Sequence, residues 1–249
     1  MNHLSRRLVR LALGLLLFGV SAGLLIEAGL GTGPWDVFHQ GVSGHTGLSV
    51  GVVVNITGLL VLALWLPLRE RPGFGTFANA LLVGLGIDAT LALTPTPAGP
   101  AVQLPLMLAA VVLNGLATGL YLSARLGAGP RDGLMTGLAR VTGRSLRLAR
   151  TGVEVAVLLL GVVLGGTVGV GTVVYAVAIG PLAQFFLRVL AAPEAVADAG
   201  PGPGRDATSD TSADAVPRMD FEDRPRRGIL RPWSRRMDRD HEPSSVDAG

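Results

Sequence analysis

The sequence contains no cysteine and no lysine, because all 21 of its basic residues are arginine. Without cysteine the chain has no disulfide, thiolate nucleophile or thiolate metal site. Without lysine it has no Walker A loop and no Schiff-base or general-base lysine. HExxH and GxGxxG motifs are also missing, and His39, His45 and Asp36 lack a fourth metal ligand. These absences argue against a conventional soluble enzyme, and we predict no catalytic residues, metal or cofactor.

Charge is also scarce: 16% of the 249 residues are charged, against about a quarter in a typical soluble domain. Residues 1–190 hold 12 arginines and 6 acids, whereas residues 191–249 hold 9 arginines and 12 acids. The first composition is typical of a membrane domain and the second of a disordered, hydrophilic tail. We therefore predict an all-α transmembrane domain over 1–190 and a disordered cytoplasmic tail over 191–249.

Six apolar segments approach the length of about 20 residues that a helix needs to cross a bilayer. They are 11–30, 49–68, 74–93, 104–123, 151–167 and 169–188. Arginines occur before the first segment, in every second connection and at the end of the sixth. By the positive-inside rule, this alternation predicts six transmembrane helices with both termini in the cytoplasm. A cleavable signal peptide is an alternative for the first segment, but that segment has an internal counterpart at 107–126.

The chain repeats itself at a constant offset of 96 residues, and the motif LGxGPxD occurs at 30–36 and again at 126–132. Repeat 1 spans about 8–93 and repeat 2 about 104–189. Each repeat holds three predicted spans, an odd number, so repeat 2 is expected to enter the membrane from the opposite side. Two inverted three-helix repeats are typical of secondary transporters.

Each LGxGPxD motif predicts the start of a short helix, over 34–43 and 130–141. Its glycines allow positive φ or close backbone approach, its proline suits the first helical turn, and its aspartate complements the helix dipole. In many transporters, segments interrupted by glycine or proline lie at corresponding positions in the two repeats, and these segments form the binding site. The candidate substrate or gate residues are Gly31, Gly33, Pro34, Asp36, Gly127, Gly129, Pro130 and Asp132. In a second interpretation both helices lie at the membrane surfaces, where the two aspartates only cap them.

Three acids lie within or at the ends of predicted spans, namely Glu27, Asp88 and Glu154. A charge within the bilayer needs a partner or a water-filled path, so these are candidate intramembrane functional groups. Glu154 follows Arg150 by four residues, a spacing that allows an ion pair on one helical face. Glu27 and Asp88 lie close enough to the outer ends of their spans to be hydrated.

Two GxxxG sequences are related by the repeat, Gly19-xxx-Gly23 in span 1 and Gly115-xxx-Gly119 in span 4. Because small residues let helices approach closely, we expect spans 1 and 4 to pack against each other at these glycines. A homodimer interface is the alternative use of the same residues.

The stretch 224–236 of the tail has six arginines and no acid. Its arginines are Arg224, Arg226, Arg227, Arg231, Arg235 and Arg236. The stretch is a candidate for contact with anionic lipids of the inner leaflet, and a solvated tail is the alternative. No nucleic-acid partner is predicted.

Residues 8–188 resemble the bacterial YczE family of integral membrane proteins, which is related to YyaS and YitT. The resemblance rests on LGxGPxD, on GLYLSARLGAGPRDGLMTGL at 119–138 and on TGRSLR at 142–147. It implies a polytopic protein of the bacterial plasma membrane and supplies no catalytic residues. With the repeat, it favours a transporter or channel for a small solute. The alternative is a non-transporting scaffold or accessory factor that acts through its cytoplasmic loops and tail.

Overall fold

The computed structural model describes the backbone of residues 3–198 and the side chains of residues 4–190. All regular secondary structure in this range is helical, which confirms the predicted all-α class there. The helices are α1 (His3–Glu27), α2 (Pro34–Thr46), α3 (Val50–Ala63), α4 (Trp65–Leu68), α5 (Phe74–Leu93), α6 (Pro100–Ser123), α7 (Pro130–Thr142), α8 (Leu146–Val163) and α9 (Val170–Asp198). The predicted tail and its arginines lie outside the described residues, except that the backbone of 191–198 continues α9.

Five stretches of helix in the described range are long and apolar enough to cross a membrane. They match predicted spans 1, 2, 3, 4 and 6, and are Leu4–Glu27, Val50–Leu68, Phe74–Leu93, Pro100–Ser123 and Val170–Leu190. Predicted span 5 falls mostly in α8, which has 18 residues and carries Arg147, Arg150 and Glu154. Because three of only 18 residues are charged, α8 is not among the candidate spans. The structure therefore supports a membrane-embedded protein with five candidate spans, and the sixth span stays a prediction.

The two short helices begin and end with the same backbone geometry. The N-cap residues Gly33 and Gly129 both have φ −63° and ψ 157°, and proline follows each of them. The C-cap residues Gly47 and Gly143 are left-handed, with φ 70° and 66°, a conformation that glycine adopts without steric cost. Both predicted short helices are confirmed, and they end three residues and one residue later than predicted.

The centre of the helical domain is formed by α1 and α6, which pack against each other. The buried Asn114 side chain of α6 donates a hydrogen bond to Ser21 Oγ of α1 at 2.8 Å. Its Oδ1 atom accepts a hydrogen bond from the Tyr175 hydroxyl of α9 at 3.1 Å. One buried amide therefore joins three helices.

The prediction that the GxxxG glycines join spans 1 and 4 was wrong. The glycine pair of α1 faces α5, because a Cβ on Gly19 would lie 2.8 Å from the Cα of Gly86. The corresponding pair of α6 faces α9 in the same way. Each glycine face therefore packs within its own repeat. Spans 1 and 4 meet through other residues, for example where Tyr121 lies against Gly14.

The loop before each short helix contacts the last long helix of the other repeat. The Gly171 amide of α9 donates to the Leu30 carbonyl at 2.7 Å, and the Gly75 amide of α5 donates to the Leu126 carbonyl at 2.9 Å. The two donors, Gly75 and Gly171, are 96 residues apart, and so are the two acceptors, Leu30 and Leu126. The LGxGPxD loops are therefore held by reciprocal contacts between the repeats.

Candidate functional site

A cavity of about 270 Å³ lies between residues of the two repeats. Each of the nine described helices except the short α4 contributes to its wall. The polar residues of the wall are Trp35, Asn79, Thr118, Tyr121, Arg131, Asp132, Arg150, Tyr175 and Gln184. Among the predicted substrate or gate residues, the wall includes Gly129, Pro130 and Asp132.

Three of the four predicted motif glycines, Gly31, Gly33 and Gly127, hold the two loops in place and do not line the cavity. Gly31 has φ 100° and Gly127 has φ 130°, so both need the conformational freedom of glycine. A Cβ on Gly31 would lie 2.7 Å from Thr172 Oγ1, and one on Gly127 would lie 2.8 Å from Thr76 Oγ1. A Cβ on Gly33 would lie 2.8 Å from the Tyr175 ring. The glycines thus allow each motif to approach a helix of the other repeat.

The two motifs meet through Trp35 and Arg131, which follow the proline in repeats 1 and 2. The guanidinium carbon of Arg131 lies 5.0 Å from the centre of the Trp35 ring, which is a cation–π distance. Arg131 Nη2 also lies 3.8 Å from Asp36 Oδ1. Sequence reasoning missed both residues because they occupy the variable position of GPxD. The sequence did contain one signal: the residue at this position is aromatic in repeat 1 and cationic in repeat 2, and such a pair can form a cation–π contact.

Asp36 is buried beside His39 on α2, which is not one of the candidate spans. Its Oδ1 atom is 3.5 Å from His39 Nδ1, and neither His39 ring nitrogen has a hydrogen-bond partner among the described residues. Burial lowers the pKa of His39 to about 4, so the ring is neutral at pH 7. Burial raises the pKa of Asp36, but the neighbouring His39 and the Arg131 charge outweigh this effect and leave the pKa below its usual value.

Asp132 has different surroundings from Asp36. It faces the cavity, and its Oδ2 atom accepts a hydrogen bond from the Tyr121 hydroxyl at 2.7 Å. The position that corresponds to His39 in repeat 2 is Met135, and the position that corresponds to Tyr121 in repeat 1 is Leu25. The two aspartates match in the motif but not in their partners.

Glu154 forms the ion pair that its spacing predicts. Arg150 Nε donates to Glu154 Oε1 at 2.9 Å, four residues along α8. Arg150 lies in the cavity wall. The predicted intramembrane acid is therefore linked to the cavity through its arginine.

Asp88 of α5 accepts two hydrogen bonds from the start of α3. The donors are Ser49 Oγ at 2.6 Å and the Gly51 amide at 2.8 Å. Asp88 thus joins two helices of repeat 1 and lies outside the cavity wall. Glu27 is half-buried at the end of α1, also outside the wall.

The second and third long helices of each repeat pack differently in the two repeats. In repeat 1, α3 packs along α5, and Asn55 Oδ1 accepts a hydrogen bond from the Gly84 amide at 3.1 Å. In repeat 2, the described parts of α8 and α9 have no comparable contact. A Cβ on Gly84 would overlap α3, whereas a Cβ on its counterpart Gly180 would meet nothing within 4 Å. Because Gly180 and Arg150 both line the cavity, the cavity extends into the gap between α8 and α9.

No three His, Asp or Glu residues are grouped closely enough in the described range to hold a metal ion. The polar groups around the cavity are guanidinium, carboxylate, amide, phenol and indole. They allow the cavity to bind a solute by hydrogen bonds and charge.

Comparison with known proteins identifies similar bacterial sequences. A family model described as "Family of unknown function (DUF6198)" matches residues 5–188. An uncharacterised protein of Haemophilus influenzae is 38% identical over 181 residues, which cover 73% of this chain and 83% of that protein. The uncharacterised membrane protein YczE of Bacillus subtilis is 35% identical over 176 residues, 70% of this chain and 82% of YczE. The uncharacterised protein YyaS of the same organism is 28% identical over 182 residues, 72% of this chain and 90% of YyaS. No solved structure matches.

Proposed function

The chain belongs to the DUF6198 family, and from this premise we propose that it moves a small solute across the bacterial plasma membrane as a transporter or channel. The observation that carries the proposal is the meeting of the two GPxD motifs at one cavity, through Trp35 and Arg131. A solute site shared by two repeats is the usual arrangement in secondary transporters.

The proposal includes six spans arranged as two inverted repeats, with both termini in the cytoplasm. Helices lying on opposite membrane surfaces would be separated by the hydrocarbon core, which is about 30 Å thick. The 5.0 Å separation of Arg131 and Trp35 instead favours motifs that enter the membrane from its two sides. The reciprocal hydrogen bonds of Leu30 and Leu126 also support a two-fold relation between the repeats.

The difference between the repeats supports a mechanism of alternating access. In the proposed topology α8 begins and α9 ends at the cytoplasmic side, so the gap between them opens the cavity toward the cytoplasm. The contact of α3 with α5, held in part by Asp88, closes the opposite side. An outward-facing state would bring α8 onto α9 and separate α3 from α5. A solute that binds to both the inward-facing and the outward-facing state would be released on either side of the membrane.

Two-sided access to the cavity tests this proposal, and the cysteine-free chain suits the experiment. Thr118 of α6 lines the cavity, so Thr118→Cys introduces one thiol there. In vesicles of both orientations, we expect a small membrane-impermeant thiol reagent to modify Thr118→Cys from either side. The exposed Thr142→Cys, at the end of α7, is the matched control and is expected to react from the cytoplasmic side only.

Labelling of Thr118→Cys from one side alone would contradict transport. That result would favour the alternative of a scaffold or accessory factor acting through cytoplasmic loops and tail. The scaffold further requires that deletion of 191–249 abolish the cellular function, whereas a transporter is expected to keep its two-sided access without the tail.

A further inference from the structure

Trp35 has a buried hydrogen-bond donor without an acceptor. The residue is 8% exposed and lies in the cavity wall, and its Nε1 atom is buried without a hydrogen-bond partner among the described residues. By contrast, Trp65 Nε1 donates to the Pro130 carbonyl at 3.0 Å. Because an indole nitrogen can only donate, and buried donors in native proteins normally have an acceptor, a ligand is one way to supply it.

The guanidinium of Arg131 beside this indole also lacks a close acceptor. Its side chain is 27% exposed, and Asp36 Oδ1, at 3.8 Å, is beyond hydrogen-bond distance. No acceptor in the described part of the chain forms a hydrogen bond with this guanidinium. A guanidinium presents its N–H groups as a planar fork that matches the two oxygens of a carboxylate.

The other charged groups in the cavity wall have close partners. Arg150 donates to Glu154 at 2.9 Å, and Asp132 accepts a hydrogen bond from the Tyr121 hydroxyl at 2.7 Å. Among the charged groups of the wall and its indole, those left without a hydrogen-bond partner within the described residues are therefore donors, the Arg131 fork and the neighbouring indole N–H. A ligand that satisfies them has to supply acceptors, and an anionic acceptor does so best because hydrogen bonds between a guanidinium and an anion are the strong, charge-assisted ones.

The size and the remaining surface of the cavity indicate an organic ligand. The volume of about 270 Å³ is many times the roughly 10–15 Å³ that a cavity needs to hold one water molecule. Apolar side chains form much of the wall, among them Phe18, Val54, Val83, Met135 and Ile179. We propose that the cavity binds a small organic carboxylate, whose oxygens accept hydrogen bonds from Arg131 and from Trp35 Nε1. This inference rests on the proposed function and names the class of solute.

Equilibrium binding to the purified full-length protein in detergent tests the assignment. Benzoate is the carboxylate probe, and two compounds of similar shape are the controls: neutral benzamide and cationic benzylamine. Isothermal titration calorimetry at constant ionic strength measures each affinity. We expect saturable benzoate binding that is at least about tenfold tighter than binding of any control, as expected for hydrogen bonds to a charged group.

Two variants test the donors. Arg131→Gln removes the fork, and Trp35→Phe removes the N–H while keeping an aromatic ring in the wall. Each is expected to weaken benzoate binding at least about tenfold. Arg147→Gln is the control, because Arg147 is exposed and lies outside the cavity wall, and its affinity is expected to be unchanged. Size-exclusion chromatography shows whether each variant is folded.

Several outcomes would overturn the carboxylate site. These are failure of the folded protein to bind benzoate, equal binding of benzamide, preference for benzylamine, and unchanged affinity in both donor variants. If the variants do not fold, the ligand series on the unmodified chain still decides. If the protein does not bind benzoate but Thr118→Cys is labelled from both sides, the carboxylate site is overturned and the transport proposal stands. One-sided labelling with benzoate binding intact overturns transport alone.

Discussion

The guanidinium of Arg131 lies over the ring of Trp35, 5.0 Å from its centre, and the two residues hold the same position in motifs 96 residues apart. This contact brings the starts of α2 and α7 to one cavity. Both residues line a site that the two repeats share, and each has a donor without a hydrogen-bond partner within the described residues. The following predictions concern the loops, the helix contacts and the charges around this site.

Gly31→Ala is expected to destabilise the protein by about 2 kcal/mol or more, because Gly31 has φ 100° and lies against Gly169 and Thr172. Gly44→Ala is the matched control, since a Cβ there meets nothing within 4 Å and Gly44 lies inside α2. Because alanine favours a helix more than glycine does, Gly44→Ala is expected to raise the free energy of unfolding by about 0.5–1 kcal/mol. Thermal unfolding in detergent measures both variants, and equal melting temperatures would contradict the account of the loop.

Gly133→Ala tests the contact between α7 and the end of repeat 1's second span. A Cβ on Gly133 would overlap the Trp65 ring, whose Nε1 atom is held by the Pro130 carbonyl. Overpacking of this kind is expected to cost about 1–3 kcal/mol. Gly152→Ala in α8, where a Cβ meets nothing within 4 Å, serves as the control. Denaturation of both variants should show a lower free energy of unfolding for Gly133→Ala only.

The stability of the protein is expected to fall between pH 7 and pH 5 because of His39. Its folded pKa of about 4 lies below the usual 6.5, so the unfolded chain binds the proton first. Stability is therefore highest above pH 6.5 and decreases as the pH falls toward 4, by about 2 kcal/mol at pH 5. His39→Met, which installs the residue of repeat 2, is expected to show a smaller decrease. An identical pH profile for both proteins would argue against a neutral buried His39.

Asp88→Asn is expected to loosen the closure between α3 and α5, because it weakens the hydrogen bonds from Ser49 and Gly51. In the Thr118→Cys background, the labelling rate from the outside should rise several-fold. Glu27→Gln is the control, since Glu27 has no hydrogen bond or ion pair within the described residues. A rise in both variants would indicate a general loss of packing, and no rise in Asp88→Asn would remove Asp88 from the closure.

The sequence predicted the features that depend on local chemistry. The short helices after Gly33 and Gly129 follow from glycine and proline at fixed offsets, and the structure confirms them. The pair of Arg150 and Glu154 follows from helical spacing alone, and it too is confirmed. These predictions need only the geometry of a single helix.

Features that depend on which helices pack together could not be read from the sequence. Gly19 faces α5 rather than α6 because helical periodicity defines a face without naming the helix that covers it. The contact of Trp35 with Arg131 joins residues from two repeats. His39 is buried by tertiary packing, which no local pattern indicates.

The central claim, that repeat 2 is inverted relative to repeat 1, is tested most directly by the sidedness of two exposed threonines at corresponding positions. Thr46 ends α2 and Thr142 ends α7, so Thr46→Cys and Thr142→Cys each place a single thiol at the end of a short helix. The measurement is labelling of intact and permeabilised cells with a membrane-impermeant maleimide. We predict that Thr46→Cys reacts in intact cells and that Thr142→Cys reacts only after permeabilisation. Reaction of both variants from the same side would contradict the inverted arrangement.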